Sequence, residues 1–446
     1  MAEVFTSEEL EATARETGFY RRESKVKPAV FFDLLMYDMS SGASKSLSQL
    51  SIEARSEHDI GVTKQAIDKK FNEHTLSFLK KLIEKQLSVE LDLNIDAGWL
   101  NSFNRVPIKD GTRFHLPEEY KDYLPGSGGS GSKAGACIQF EFDLKSGQIE
   151  VMDLTASNRP DVKDAQESMD NVKKGDLIIR DLGYYAFKSL INIIKKEAFF
   201  ISRLGAKANV FEMKNGVLKK LDFKDVYNQM KRGKLSRIYK DVFIGSEEKI
   251  SVRLAIELMP EDVYEERMRK IKKLHKKKGR QTSEKYKLLA RFNLFITNVT
   301  REVLPDEVIS SLYRMRWQIE LIFKIWKSVF GIHNVRKMKY QRWLCLLHFK
   351  LLMMIVNWSI IMAQRNYLYR SKGKLLSLNK CFKTLFDNTY RLRETLRLGQ
   401  KGIVKFIQWA NRILNENHWL EKKKNKVGLE NIFYIMFCKS NVYVYI

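Results

Sequence analysis

The stretch Tyr313–Lys327, YRMRWQIELIFKIWK, decides how the rest of the chain is read. Set on a helix at about 100° per residue with Tyr313 at zero, Arg316 falls near 300°, Glu320 near 340° and Lys327 near 320°. Met315, Ile319, Ile322, Trp326 and Val329 fall on the other side, roughly between 160° and 240°. One face is therefore apolar and packs inward. The other carries one acid between two bases and a phenol, spread over about 21 Å. A carboxylate flanked by cations can hold a hard divalent metal, while the cations and the phenol hold phosphates. A salt-bridged amphipathic helix shows the same pattern.

The charge balance bears on that choice. Among 446 residues, 79 are Lys or Arg and 53 Asp or Glu, a net charge of +26. An excess of this size implies a polyanionic partner, nucleic acid first and a membrane surface second. The hydrophobic share of 44% suffices for roughly two or three domains with real cores. Cys137, Cys345, Cys381 and Cys438 lie far apart and form no CxxC pair. They imply neither a zinc site nor a disulfide framework, and fit a reducing cytoplasm. The histidines show no metal-ligand spacing. No signal-peptide pattern opens the chain, and Thr6 with Glu9 reads as a capping box. The apolar run WLCLLHFKLLMMIVNWSIIMA, 343–363, has the length to span a bilayer, but His348, Lys350 and Asn357 interrupt it. It is expected to be a buried core helix, with no membrane partner.

Residues up to about 90 read as helical. A short helix over 47–56, a turn on Asp59 and Gly61, and a helix after Thr63 outline a helix-turn-helix. Ala66, Ile67 and Phe71 are its expected core face. Lys64 and Gln65 point elsewhere and are candidate DNA contacts; a plain helical hairpin shares the outline.

From about 104 the period becomes that of strands. VPIKDGTRFHLP alternates into Asp110 and is expected to turn at Gly111. PGSGGSGSKAGA, 125–136, lacks the closing GK[ST] of a P-loop and reads as a flexible loop. CIQFEFDLKSGQIEVMDLTA reads as a hairpin turning at Lys145, Ser146 and Gly147. After a helix over 160–174, Leu177, Ile178 and Ile179 form a short buried strand with Asp181 at its end. A helix from near Tyr184 and a strand over 197–204 follow. The order describes an α/β fold, a mixed sheet flanked by helices.

Residues 205–297 read as a mainly β interruption with a basic arm, RMRKIKKLHKKKGR, over 267–280. Asp306 is the expected cap of the helix carrying Tyr313. Helices then continue over 342–365, about 375–398 and 401–417, before a lysine-led aromatic tail from 421.

Two strand-end aspartates and a helix glutamate, Asp110, Asp181 and Glu320, thus come from separate elements. Such a trio can bind two divalent ions roughly 3.5–4 Å apart and act on a phosphodiester. Magnesium suits oxygen ligands with waters retained.

These residues resemble the insertion-sequence-four family of DDE transposases. Tyr313, Arg316, Glu320 and Lys327 match its Y-x2-R-x3-E-x6-K signature with every spacing kept. Lys109-Asp110-Gly111-Thr112 resembles its first acidic block, and Arg180-Asp181-Leu182-Gly183-Tyr184-Tyr185 its second. The resemblance covers about 30–365. It implies an RNase H-like catalytic core over 100–204 and 298–340, interrupted by the β-rich insertion 205–297. A helical DNA-binding domain over 1–95 would precede it, and a helical region over 341–446 would follow.

It further implies that Asp110 bridges two Mg2+ ions (Mn2+ substituting), with Asp181 and Glu320 each completing one. Tyr313, Arg316 and Lys327 would grip the DNA backbone, and Trp317, near 40° on the same face, would stack on a terminal base. Some members hold a flipped base with a tryptophan in the insertion's last strand. Here Arg291, Phe292 and Asn293 stand there, with Phe292 the available substitute. The implied activity is cut-and-paste transposition: binding inverted repeats, cutting both ends and joining 3′-hydroxyls to target DNA, as a homodimer at the bacterial nucleoid. A nuclease without strand transfer and a non-enzymatic DNA-binding protein are the alternatives.

Overall fold

The computed structural model describes residues 5–39, 44–88, 98–128, 132–184, 186–205, 208–277, 279 and 281–420. Residues 129–131 of the glycine-rich loop, Tyr185, Lys278 and Arg280 of the basic stretch, and the tail from 421 lie outside the described residues.

Five helices come first: α1 (Ser7–Glu16), α2 (Pro28–Met39), α3 (Leu47–His58), α4 (Lys64–Lys70) and α5 (Glu73–Leu87). Their caps set their bounds. Thr6 accepts from the Glu9 N–H, as the cap spacing implies. Ser46 and Gln49 form a reciprocal capping box, and Asp59 closes α3 in the left-handed region at φ 51°. Thr63 caps α4. The helix expected to run on from Thr63 breaks at Asn72, whose side chain accepts from the His74 and Thr75 N–H groups and starts α5. Ile67 and Phe71 are buried as expected, but Ala66 is exposed.

The middle of the chain alternates: β1 (Pro107–His115), β2 (Gly135–Asp143), β3 (Ile149–Ala156), α6 (Asp161–Glu167), β4 (Leu177–Arg180), α7 (Phe187–Lys195) and β5 (Phe199–Arg203). Next come β6 (Val210–Lys214), β7 (Val217–Lys220), α8 (Phe223–Arg232), β8 (Arg237–Ile244), β9 (Ile250–Leu258), α9 (Glu261–Lys277), α10 (Glu284–Leu289) and β10 (Phe292–Thr297). Helices finish the described chain: α11 (Val308–Arg314), α12 (Trp317–Ser328), α13 (Tyr340–Lys372), α14 (Leu378–Asp387), α15 (Thr389–Arg397) and α16 (Gly399–Asn417). The helix expected over 375–398 is two, with Asn388 closing α14 and leading into α15.

The described residues fold as two units, one lying within 5–88, 111–158 and 318–420, the other within 98–110 and 159–317. The chain passes between them inside β1, after Asp110, and inside α12, after Trp317.

In the second unit the strands run in the order β1-β4-β5-β10-β9-β8-β6-β7. β1, β4 and β5 are parallel, and β10 is antiparallel to both β5 and β9. The strands of 205–297 therefore extend the same sheet. Ile178, Phe200, Leu254, Ile256 and Ile296 share one core there. The basic arm lies largely in α9, a continuous helix.

In the first unit β2 pairs with β3 through the expected turn, and every residue of β2 is buried. α13 is the apolar helix, and 94% of its most apolar window is buried inside the protein. Trp358 on it donates to the Gly147 carbonyl at 2.7 Å, and Phe140 on β2 meets the Trp326 ring at 4.8 Å.

This unit also gathers a charge network around the buried Asp33. Asp33 on α2 accepts from Arg393 Nε at 2.9 Å and Arg397 Nε at 3.0 Å, and lies 2.8 Å from His58 Nε2. Burial opposes its ionisation, but hydrogen bonds from Arg397, Arg393 and His58 outweigh that and hold the carboxyl down to about 2. Asp33→Ala removes the buried carboxylate shared by partly buried Arg393 and exposed Arg397, which keep Glu53 and Glu57 as partners. It should lower the unfolding free energy by about 1.5–3 kcal/mol, read as a fall in the chemical-denaturation midpoint. The native contribution is full above the ordinary carboxyl pKa and fades as pH falls towards the folded value. The variant should therefore lose less stability on acidification than the wild type; an equal loss refutes the role.

Candidate active site

Asp110 and Asp181 are brought together by strand register. In the parallel pair β1–β4, Ile108 faces Ile179 and Lys109 faces Arg180. Asp110 and Asp181 are the next residue after each of these pairs, and neighbouring strands lie about 4.8 Å apart. Asp181 directly follows the end of β4, as expected, but Asp110 does not end its strand, because β1 runs on to His115. Gly111 is a strand residue rather than a turn. A Cβ on it would meet Cys137 Sγ at 3.0 Å and Gln139 Oε1 at 3.1 Å, so glycine serves close approach here.

A cation is already in place at this pair. Arg316 is only 6% exposed. Its Nη1 donates to Asp110 Oδ2 at 2.9 Å, and its Nε lies 3.7 Å from Asp181 Oδ1. The Tyr313 hydroxyl donates to the same Asp181 oxygen at 3.0 Å. Burial, then the charge of Asp181, pushes the Tyr313 phenol well above its usual range. It therefore stays a proton donor at neutral pH. Its ring is fixed against Phe295, centroids 5.1 Å apart. Among the described residues no three acidic, histidine or cysteine groups stand ready to hold a metal ion.

The single helix expected from Tyr313 to Lys327 is broken. α11 ends at Arg314 and α12 begins at Trp317. Between them the Met315 and Arg316 N–H groups bond back three residues, to Leu312 and Tyr313, which tightens the turn. The apolar side survives the break, with Met315, Ile319, Ile322 and Trp326 buried and Val329 partly so. Asp306 does not cap α11. It pairs instead with Arg253 and Arg301, and Glu307 is the cap residue.

The other candidates are placed individually. Glu320 is half-buried in the first turn of α12. Trp317 is 63% exposed, a large aromatic surface beside Arg316 in the chain. Lys327 donates to the Arg113 carbonyl of β1 at 3.0 Å, and burial lowers its pKa. Lys64 and Gln65 are exposed in the first turn of α4. Phe292 is 3% exposed and packs near Phe223 and Tyr227, so it presents no face to a base.

One feature beside the site escaped sequence reasoning. Lys109, only 2% exposed, pairs with Asp164 of α6 at 2.7 Å. Strand alternation puts Lys109 on the opposite side of β1 from Asp110, a signal that was available. Its partner, more than fifty residues on, was not.

Residues 101–356 match the transposase DDE domain family. The chain is 30% identical to the transposase of insertion sequence element IS231F from Bacillus thuringiensis subsp. israelensis, over 97% of this chain and 92% of the relative. It is 31% identical to that of element IS231E from Bacillus thuringiensis subsp. finitimus, over 93% and 90%. A cryo-EM structure of a piggyBac transposase synaptic complex with hairpin DNA aligns over 96% of this chain and 84% of its own, at 11% identity. The TM-score of that alignment is 0.42.

The buried pair beside β1 is testable alone. Asp164→Ala removes the carboxylate paired with buried Lys109 and should cost about 3–5 kcal/mol of stability. Lys109→Met with Asp164→Leu removes both charges and should recover most of that loss in thermal unfolding. If the double variant is no more stable than Asp164→Ala, Lys109 does not depend on Asp164.

Proposed function

The chain belongs to the DDE transposases of bacterial insertion sequences, and on that premise we propose which of its residues carry out the reaction. Its activity is insertion-sequence transposition, a cleavage and rejoining of DNA strands. In our reading Asp110, Asp181 and Glu320 are the catalytic carboxylates, on an RNase H-like core. The observation that carries it is the register of β1 and β4, which makes Asp110 and Asp181 neighbours, together with the cation held against both.

The donor set fits a divalent metal. Carboxylate oxygens are hard ligands, and two anions side by side call for a positive partner. Mg2+, with Mn2+ as a substitute, would sit on Asp110, Asp181 and Glu320. When bound, it supplies Lewis-acid activation of the attacking oxygen and charge for the departing one.

The protein's own groups do the rest. Arg316 and the Tyr313 hydroxyl are donors suited to phosphate oxygens. Lys327 adds positive charge on the same stretch. Trp317 offers an exposed ring on which a terminal base can stack, worth roughly 1–3 kcal/mol. Lys64 and Gln65, exposed on α4, read the element's inverted repeats. In cleavage a water oxygen bonds to phosphorus and the strand's 3′-oxygen leaves as a hydroxyl. In transfer that hydroxyl attacks a target phosphodiester, displacing a target 3′-oxygen. Both ends must be held together, which calls for a homodimer on DNA in the bacterial nucleoid.

Asp110→Asn, Asp181→Asn and Glu320→Gln should each reduce Mg2+-dependent cleavage of the element's ends by about a thousandfold or more, with folding intact. Full cleavage in all three would overturn the carboxylate assignment. Separately, Lys64→Ala with Gln65→Ala should weaken binding to the element's ends more than to unrelated DNA. An equal loss on both, or none, removes α4 as the reader.

A further inference from the structure

We propose that Arg316 is a latch: without DNA its guanidinium fills the cation's place at Asp110 and Asp181, and it leaves for a backbone phosphate when DNA arrives. This rests on the reading of those aspartates as metal ligands.

Three observations combine. Arg316 reaches both carboxylates, at 2.9 Å and 3.7 Å, from a buried position. Tyr313, near the end of α11, donates to Asp181 at 3.0 Å. Arg316 itself stands in the turn between α11 and α12. A side-chain swing there breaks no helical hydrogen bond.

The chemistry then forces a competition. Two carboxylates on adjacent strands repel one another unless a positive charge lies against them. Arginine does not release its proton at any physiological pH, so only movement takes that charge away. A divalent ion needs the same oxygens and is repelled by the guanidinium. A phosphodiester offers the guanidinium an equally good, bidentate partner. DNA therefore removes the competitor from the carboxylates, and metal and DNA favour each other's binding. Such coupling is reciprocal and typically 5- to 150-fold. The protein would hold its metal weakly until a substrate phosphate is present, so hydrolytic capacity is assembled only on DNA.

The test is Mn2+ binding to the full chain, read from the electron paramagnetic resonance of the free ion. It is run with and without a duplex copied from the element's end, and corrected for Mn2+ bound by that duplex alone. Wild type should bind Mn2+ weakly, and the duplex should tighten binding by about tenfold or more. Arg316→Gln, which keeps the side chain's polarity but not its charge, should bind about tenfold tighter without DNA, and the duplex should add little. Adding Asp110→Asn to that variant should abolish the gain.

Absence of DNA–Mn2+ coupling in the wild type overturns the latch without recourse to any variant. So does an Arg316→Gln protein that binds no tighter while Asp110→Asn still weakens Mn2+ binding; the metal reading then survives. If Asp110→Asn and Asp181→Asn leave Mn2+ binding unchanged in every background, the metal reading itself falls.

Discussion

Two carboxylates on neighbouring parallel strands cannot stay close without a positive charge between them. Much of the site's arrangement answers that constraint. Arg316 supplies the charge and Tyr313 adds a neutral donor that remains protonated. Both come from the turn and helix end just before α12. The strand that brings Asp110 is held from behind by the buried Lys109–Asp164 pair. A buried ion pair adds little net stability, but it does fix geometry, since losing either partner is costly. The site is thus braced from both sides of β1, by charge rather than by apolar packing alone.

Much of this was legible in the sequence because it is local. The hairpin of β2 and β3 follows from alternation and a Lys-Ser-Gly turn. The strand at Leu177 follows from an unbroken apolar run, and the helical ends from caps. The catalytic candidates surfaced because one short stretch carried acid, bases and a phenol at helical spacings. The likeness to DDE transposases, drawn from those residues, agrees with the family match and with relatives near 30% identity.

What was not legible depended on contacts far apart in the chain. Asp110 read as a strand end because Gly111 follows it, and glycine is a turn signal. Only Cys137 and Gln139, from β2, show that the glycine makes room inside a strand. The break at Met315–Arg316 is invisible to a periodicity count, which runs one wheel from Tyr313 to Lys327 and cannot see two helices. Asp306 looked like a cap by position, yet Arg253 and Arg301 claim it. Phe292 looked available by its position in the insertion's last strand, yet apolar packing took it.

The path of the chain has a consequence for synthesis. Neither unit is a continuous segment. The helices made first are completed by side chains made near the end: Asp33 waits for Arg393 and Arg397, some 360 residues later. Contacts this distant slow folding and delay it until most of the chain has left the ribosome. A nascent chain therefore exposes the N-terminal helices long before they can be locked. A prematurely terminated one leaves Asp33 without its arginines and cannot complete the first unit.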